Sequence, residues 1–436
     1  MSQKVTNTGA FFAYVGRGLG RNAGVASAFA SIVGYVTIQL AIYGFFGGVT
    51  ALTLSGGTSG ADWWMYALMA WAVATLLSLF SVDIGSKVLG VLMILEVLAL
   101  VVTAVAILVQ NAGSIDFVAA FSPDAILAGG VNGTAGIAIA FAFASFIGFE
   151  ATAIYGEESK DPKRSVAKAT YWAIGLITGL FAIVSLAMST AMASFSNPEA
   201  PAPYDKGLMG YIAQYSDGLE NPAGVLQKMA DVSLGGTWMS TIMGYLVLTS
   251  CFAGILAFQN AISRYFFAMG RGGVLPAAFG KTNGSGAPQN GVILTSVLAL
   301  IIMIGFAAAG LDGIKNLFTW MSAITAVAIM FVEVLVSIAI MVYLRKDGTF
   351  NVWKSTIAPL LSAVGLAAGL YLLMSRFNLL GGLAAKDVDP SLAESAWLLS
   401  PMGWVFMLSP FIAAVLGLVV AVATKNKRDL AADILS

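Results

Sequence analysis

The feature that most limits the fold is a succession of ten apolar stretches, each near the roughly 20 residues that an α-helix needs to cross a bilayer. The stretches are 23–50, 63–82, 88–110, 133–155, 169–193, 238–269, 291–309, 317–344, 355–375 and 401–424. Only 10% of the 436 residues are charged, whereas about 25% are charged in soluble domains. The sequence therefore predicts an all-α integral membrane protein with about ten transmembrane helices.

The remaining segments predict the domain organisation. Residues 1–22 are expected to be a cytoplasmic N-terminal segment, residues 23–424 the transmembrane domain, and residues 425–436 a cytoplasmic tail. The long connection 194–237 is expected to be an ordered extracellular loop. Within it, Val225–Ala230 is expected to form a short helix at the membrane interface.

The distribution of basic residues predicts the orientation. With Met1 on the inner side, seventeen of the 22 Lys and Arg residues are cytoplasmic. The five on the outer side are Lys206, Lys228, Lys315, Arg376 and Lys386. Because cytoplasmic loops are enriched in Lys and Arg, we expect a multi-pass protein of the plasma (bacterial inner) membrane with both termini in the cytoplasm.

The composition argues against several other classes of protein. Acidic and basic residues balance at 22 each, so no nucleic-acid partner is expected. The chain has no His and a single cysteine, Cys251, so we expect no zinc site, haem or other cofactor. The same lack of a nucleophile–base set disfavours a membrane enzyme. A channel would need a charged ring or a filter sequence, which the chain does not show.

Three acidic residues lie within the apolar spans: Glu96, Glu150 and Glu333. An acid at this depth costs at least a few kcal/mol unless it is paired, protonated or hydrated. No basic residue lies deep in any predicted span. We therefore expect these acids to line a polar pathway and to exchange protons. The alternative is that each one only bonds a neighbouring helix.

The fourth span, Gly136–Glu150, alternates small residues with aromatic ones. Small residues permit a local break in a helix, and a broken helix at mid-membrane must line a cavity or be buried in protein. Transporters hold substrates and ions at such breaks. Composition alone is equally consistent with a continuous helix that packs through its alanines.

Three motifs carry a resemblance to a known family. Residues 148–164 read G-F-E-A-T-A-I-Y-G-E-E-S-K-D-P-K-R, and residues 260–276 read N-A-I-S-R-Y-F-F-A-M-G-R-G-G-V-L-P, followed by Pro288. A weaker match covers Thr8–Tyr14 and Leu19-Gly20. Over essentially its whole length the chain resembles the amino acid–polyamine–organocation permeases. The resemblance implies a LeuT-like inverted-repeat bundle and secondary transport of an amino acid or related amine, driven by a proton or sodium gradient or by exchange.

The resemblance also implies roles for individual residues. The residues that match the unwound stretch of the family's sixth helix are Phe143, Ala144, Ser145, Phe146 and Gly148. They would offer backbone carbonyls to the substrate amine, with Phe258 as an aromatic contact and Glu150 as a proton-sensitive gate. Ordinary helix packing is the alternative for Phe258. Glu96 lies where proton-coupled relatives often carry a Lys, so the inherited coupling chemistry is open there.

One departure from the family pattern affects the expected function. The first span, 23–50, matches the family's third helix, so the first two family helices have no counterpart. Those helices include the G-[ST]-G break that binds the substrate carboxylate. The sequence is thus consistent with a misplaced start, a fragment or an altered activity. An inactive or regulatory permease remnant is the main alternative function.

Polar residues form stripes on two of the predicted helices. In the first span they are Ser27, Ser31, Tyr35, Gln39 and Tyr43, and in the eighth they are Ser322, Thr325, Glu333 and Ser337. A spacing of four drifts by about 40° per step, so only a tilted helix is expected to keep the first stripe facing inward. Tyr35 is the candidate cavity residue there, alongside Gln39, and interhelical hydrogen bonding is the alternative. The second stripe predicts that Glu333 faces protein rather than lipid.

Overall fold

A computed structural model describes residues 9–54, 62–80, 86–123, 135–154, 161–196, 224–348 and 351–424, with a few separate residues between 198 and 214. These residues form helices throughout, and the only β-pairing among them is two isolated bridges, Ser196–Lys206 and Ala384–Leu399. The helices are α1 (Phe11–Leu19), α2 (Arg21–Leu54), α3 (Trp63–Leu79), α4 (Ser86–Gln110), α5 (Phe117–Phe121), α6 (Ala135–Ala144), α7 (Ala151–Ile154), α8 (Pro162–Ser194), α9 (Gly224–Leu234), α10 (Trp238–Arg271), α11 (Gln289–Ala308), α12 (Thr319–Asp347), α13 (Ala358–Ser375), α14 (Phe377–Leu380) and α15 (Pro401–Ala423).

The helix bounds confirm the all-α membrane class. Eight helices in the described part of the chain are long and apolar enough to cross a membrane: α2, α4, α8, α10, α11, α12, α13 and α15. The two other predicted spans correspond to shorter apolar helices. One is the 17-residue α3. The other is α6, which ends at Ala144 because the predicted span 133–155 is interrupted.

Helix α2 lies at the centre of the bundle, in contact with α1, α3, α10, α12 and α15. Glycines allow this close packing. A Cβ on Gly44 would lie 2.5 Å from the carbonyl oxygen of Gly313, and one on Gly47 would lie 2.3 Å from that of Trp63. Because α2 has neighbours on nearly every side, all five residues of its polar stripe are buried. A tilt of α2, which the spacing predicted, is therefore not needed to bury all five residues.

Helix α4 occupies a different position, at the periphery. It packs against α8, α9 and α10, and most of its Leu, Val and Ile side chains are exposed on the surface of the bundle. Such a surface is suited to lipid, since the hydrocarbon core is as apolar as these side chains. The central α2 is rich in glycine and small residues, whereas the peripheral α4 is rich in Leu and Val.

A short helix forms within the predicted N-terminal segment. Helix α1 is largely buried and packs against α2 and α12. At the start of α2, the Arg21 guanidinium donates to the carbonyl oxygen of Ala421 at 2.5 Å and to Thr424 Oγ1 at 2.8 Å. A cation at this position interacts favourably with the C-terminal end of α15.

Several predicted segments fall partly or wholly outside the described residues. They are residues 1–8, the tail 425–436 and most of 197–223. Within the predicted loop 194–237, α9 confirms a helix around Val225–Ala230. Its buried residues Val225 and Met229 pack against α8 and against Ala104 and Ile107 of α4.

Candidate functional site

The fourth predicted span contains a helix break, which separates α6 from α7. The i→i−4 bonding ends with Ser145 N–H donating to the Phe141 carbonyl at 3.0 Å. Phe146, Ile147 and Phe149 then donate to carbonyls only three residues earlier. Such tighter turns mark a local interruption of an α-helix. The prediction of a break is therefore confirmed, and the continuous helix that composition also allowed is not formed.

Gly148 lies in the centre of the break with a φ of +110°. Residues with a Cβ rarely adopt this conformation, whereas glycine does so at little cost. The Gly148 N–H donates to Glu150 Oε2 at 2.8 Å rather than to a helical carbonyl. The break therefore turns a backbone amide toward the only carboxylate in the segment 135–154.

Glu150 is held from two sides. Its Oε1 accepts a hydrogen bond from the Tyr35 hydroxyl of α2 at 3.1 Å, while its Oε2 is bound by Gly148. The side chain is only 4% exposed. A carboxylate bonded this way tolerates burial because its oxygens have donors. This arrangement links the broken helix directly to the central helix of the bundle.

Aromatic rings surround the Tyr35–Glu150 contact. The Tyr35 ring lies 6.1 Å from the ring of Phe258 and 5.5 Å from that of Tyr265, both on α10. A Cβ on Gly148 would lie 3.9 Å from Phe258 Cζ. Four of the residues singled out from the sequence, Tyr35, Gly148, Glu150 and Phe258, are therefore neighbours in the fold.

The side chains of residues 143–146 in the unwound stretch lie away from the Tyr35–Glu150 contact. Phe143 packs between two parts of the hydrophobic core. The Phe146 ring meets Phe181 of α8 edge-on at 6.1 Å. Ala144 and Ser145 are exposed on the surface of the described chain, and the Ser145 hydroxyl donates to the Phe141 carbonyl at 2.8 Å. The structure does not bring these side chains to the Tyr35–Glu150 contact.

Glu150 and Glu333 line one cavity of about 260 Å³. Its walls are formed by Phe11, Tyr14, Phe149, Glu150, Ala153, Val166, Thr170, Glu333, Val336, Ser337, Ile340, Ser362 and Leu366. Glu333 thus faces protein, as the polar stripe of the eighth span predicted. Glu333 Oε1 is buried and has no hydrogen-bond partner among the described residues. Next to it, the hydroxyls of Ser337 and Ser362 bond to each other at 3.0 Å.

Glu96 lies in a separate cavity of about 180 Å³ between α4 and α10. Its neighbours there are Ala99, Leu100, Met243, Leu246, Val247 and Ser250. Apart from Glu96, Ser250 is the one polar residue among those that line this cavity. The three intramembrane acids therefore do not form one cluster. Two share a cavity, and the third stands apart.

Other members of the polar stripes form hydrogen bonds within or between helices. Gln39 donates to Gln259 Oε1 of α10 at 2.5 Å, and Gln259 donates to Ser296 Oγ of α11 at 2.8 Å. Thr325 shares a hydrogen bond of 2.7 Å with Thr37. The Ser27 and Ser31 hydroxyls donate to carbonyls of their own helix. For Gln39 the structure thus supports the interhelical alternative.

Sequence reasoning missed two residues near Glu150. Tyr265 packs against Tyr35 with its ring tilted by 60°, and it lies seven residues after Phe258, or two helical turns along the same face of α10. That spacing was a usable signal. Tyr14 lines the cavity of Glu150 and Glu333, but it belongs to the predicted N-terminal segment and carried no comparable signal.

The motifs that carried the family resemblance occupy helix ends. The segment 260–276 covers the end of α10 at Arg271 and the turn that follows, and α11 begins just after Pro288. Asp161-Pro162 begins α8. Glu157 and Glu158 of the first motif lie outside the described residues.

Comparisons with known proteins agree with this fold. A family model described as "Amino acid permease" matches residues 1–432. The branched-chain amino acid permease BcaP of Lactococcus lactis is 25% identical over 321 residues, which cover 72% of this chain and 58% of that protein. An uncharacterized transporter of Legionella pneumophila is 23% identical over 68% of this chain and 61% of its own length. The methylthioribose transporter of Bacillus subtilis is 26% identical over 52% of this chain and 43% of its own length.

The chain thus spans about 60% of the length of the first two of these relatives. The match to the family model, in contrast, extends over nearly all of its 436 residues. The chain belongs to the amino acid permease family, which is a family of transporters rather than enzymes.

Proposed function

We propose that this chain is a secondary transporter of an amino acid or a related amine, and that the substrate binds beside the helix break at 145–150. The observation that carries the proposal is the hydrogen bond from the Tyr35 hydroxyl to Glu150. It joins the broken segment to the central helix at a point surrounded by aromatic rings. Broken helices of this kind bind substrates and ions in other transporters.

In this proposal each residue has a distinct task. Phe258 and Tyr35 would contact the apolar part of the substrate, and the backbone carbonyls of Phe143, Ala144, Ser145 and Phe146 would accept from its ammonium group. Gly148 permits the turn that ends this segment, and each carbonyl of the turn keeps a second lone pair for the substrate. Glu150 would act as the gate, since release of its bond to Tyr35 frees the segment to move relative to α2.

The driving force and location are part of the same proposal. Glu150 and Glu333 would take up and release the coupling ion, a proton or sodium, and Glu96 is a third coupling candidate in a separate cavity. Exchange, in which one substrate molecule enters as another leaves, is the alternative to transport driven by an ion gradient. We place the protein in the plasma or bacterial inner membrane with both termini in the cytoplasm, based on the distribution of Lys and Arg.

Uptake into proteoliposomes tests this proposal. The full chain would be reconstituted, and entry of radiolabelled branched-chain, cationic and aromatic amino acids measured under an inward proton gradient, a sodium gradient, or internal unlabelled substrate. Methylthioribose belongs in the same panel because one relative is named for it. Uptake of methylthioribose alone would contradict the assignment of an amino acid substrate. No uptake of any compound in any mode would favour the inactive or regulatory alternative.

Tyr35→Phe tests the site itself, because it removes only the hydroxyl that donates to Glu150. A hydrogen bond to a charged group contributes about 1.5–3 kcal/mol, so we expect uptake to fall by about tenfold or more. Tyr43→Phe is the matched control, since Tyr43 is equally buried and lies eight residues along the same helix. Equal losses in both variants would indicate a general packing defect and contradict a specific role for Tyr35.

A further inference from the structure

A second feature near Glu150 is not explained by the substrate site beside Tyr35. The cavity shared by Glu150 and Glu333 lies between α1, α8, α12, α13 and the segment 149–153. Tyr35, Phe258 and Gly148 are not among its lining residues. Glu150 therefore contacts the aromatic cluster of Tyr35 on one side and borders this cavity on the other.

The described residues that line this cavity include two carboxylates but no basic side chain to balance them. Two of the thirteen lining residues are acidic, and none of these described residues is basic. Glu150 already accepts hydrogen bonds from Tyr35 and Gly148. Glu333 Oε1, in contrast, is buried without a partner among the described residues. A buried acceptor without a donor costs about 1–3 kcal/mol, and more when it is charged, so the cavity favours an occupant that donates hydrogen bonds and carries positive charge.

The size and walls of the cavity indicate what kind of cation would fit. A volume of about 260 Å³ is many times the 10–15 Å³ that one water needs, so a single bare ion would leave most of it unfilled. Seven of the lining residues are apolar, namely Phe11, Phe149, Ala153, Val166, Val336, Ile340 and Leu366. Two carboxylates in a cavity whose other walls are largely hydrocarbon match an ammonium group attached to an alkyl chain.

We propose that this cavity is a second binding site, which takes the ammonium group of a small organic amine between Glu150 and Glu333 and its alkyl chain against the apolar wall. An ammonium group has three donors, and charge-assisted bonds to carboxylates are the strong ones. This proposal rests on the proposed function only in that both use Glu150 and Glu333.

Equilibrium binding tests the proposal without any transport. The purified full chain in nanodiscs would be titrated calorimetrically with butylammonium chloride, at constant pH and ionic strength. Butanol and sodium chloride serve as probes that lack the charge and the alkyl chain, respectively. We expect saturable binding of butylammonium and none of butanol. Absence of butylammonium binding, or equal binding of butanol, would overturn the proposal, and saturable binding of sodium alone would identify an inorganic ion site instead.

Variants distinguish this cavity from the substrate site. Glu333→Gln keeps the size of the side chain and removes its charge, and we expect butylammonium to bind at least about tenfold more weakly, because a bond to a charged group is lost. Glu394→Gln makes the same change at an exposed position outside the cavity, and binding should stay at the wild-type value. Wild-type affinity in Glu333→Gln would refute the site.

A second variant keeps the test decisive if Glu333→Gln folds poorly. Leu366→Phe narrows the apolar wall and leaves both carboxylates in place. We expect this variant to weaken the binding of butylammonium more than that of methylammonium. Equal effects on the two affinities would contradict the placement of the alkyl chain. Since these measurements need no gradient, a protein that binds butylammonium but shows no uptake would refute the proposed function and leave this site standing.

Discussion

Glu150 and Glu96 both lie in apolar spans, but their surroundings differ. Glu150 follows a helix break and is bonded by Gly148 and Tyr35. Glu96 lies within the continuous helix α4 and shares a largely apolar cavity with Ser250. A continuous helix uses its own N–H groups in its ladder, so it has none to offer a side chain. The comparison shows that the helix break, rather than the acid itself, creates the chemical environment at Glu150.

The same two regions differ in how their helices are held. A Cβ on Gly136 of α6 would lie 2.1 Å from the Leu372 carbonyl oxygen of α13, whereas a Cβ on Gly90 of α4 would meet nothing within 4 Å. The short α6 is therefore positioned by direct backbone contact with its neighbour. Helix α4 has no such contact at its glycine.

The largest effect should come from that backbone contact. Gly136→Ala adds a methyl group where only backbone can move, and overpacking of this kind costs about 1–3 kcal/mol or more. We expect a clear fall in the unfolding midpoint of the detergent-solubilised protein. Gly90→Ala is the matched control and should change the stability by no more than about 1 kcal/mol. A Gly136→Ala protein as stable as the wild type would show that α6 is not fixed by α13.

A smaller effect is expected from neutralising the two acids. Glu150→Gln keeps the shape of the side chain but weakens its bonds to Tyr35 and Gly148, and we expect initial uptake to fall by about tenfold, because bonds to a charged group contribute about 1.5–3 kcal/mol. Glu96→Gln should reduce uptake by no more than about fivefold, because one neutral hydrogen bond contributes only about 1 kcal/mol and a tenfold change requires about 1.4 kcal/mol. Proteoliposome uptake, corrected for the amount of reconstituted protein, measures both.

The reverse order would change the interpretation. If Glu96→Gln abolished gradient-driven uptake while exchange persisted, Glu96 would be the coupling residue and the break would serve substrate binding alone. Measuring both modes on the same preparations separates these outcomes.

The smallest effect should come from Ser250→Ala. This change removes the one hydroxyl from the lining of the otherwise apolar cavity of Glu96. One neutral hydroxyl contributes about 0.5–1.5 kcal/mol, so uptake and the unfolding midpoint should stay close to the wild-type values. A loss of uptake as large as that of Glu150→Gln would show that Glu96 depends on its polar neighbour as strongly as Glu150 depends on Tyr35 and Gly148. The contrast between the two regions would then disappear.

Much of the fold could be predicted from the sequence, because apolar runs of bilayer length have few alternatives. The predicted spans 238–269 and 401–424 match Trp238–Arg271 and Pro401–Ala423 to within two residues. The break near Gly148 was predicted but not decided, since alanine-rich runs also pack as continuous helices. The roles of the candidate site residues stay predictions.

The sequence by itself determined the membrane class and the approximate positions of most of the spanning helices, since hydrophobicity acts locally along the chain. Only the tertiary structure decided which residues meet. Tyr35 and Glu150 are 115 positions apart, and Glu333 shares the cavity of Glu150 from a still more distant helix. Helix packing at glycine contacts sets these juxtapositions. A local sequence pattern does not specify which face of one helix packs against another.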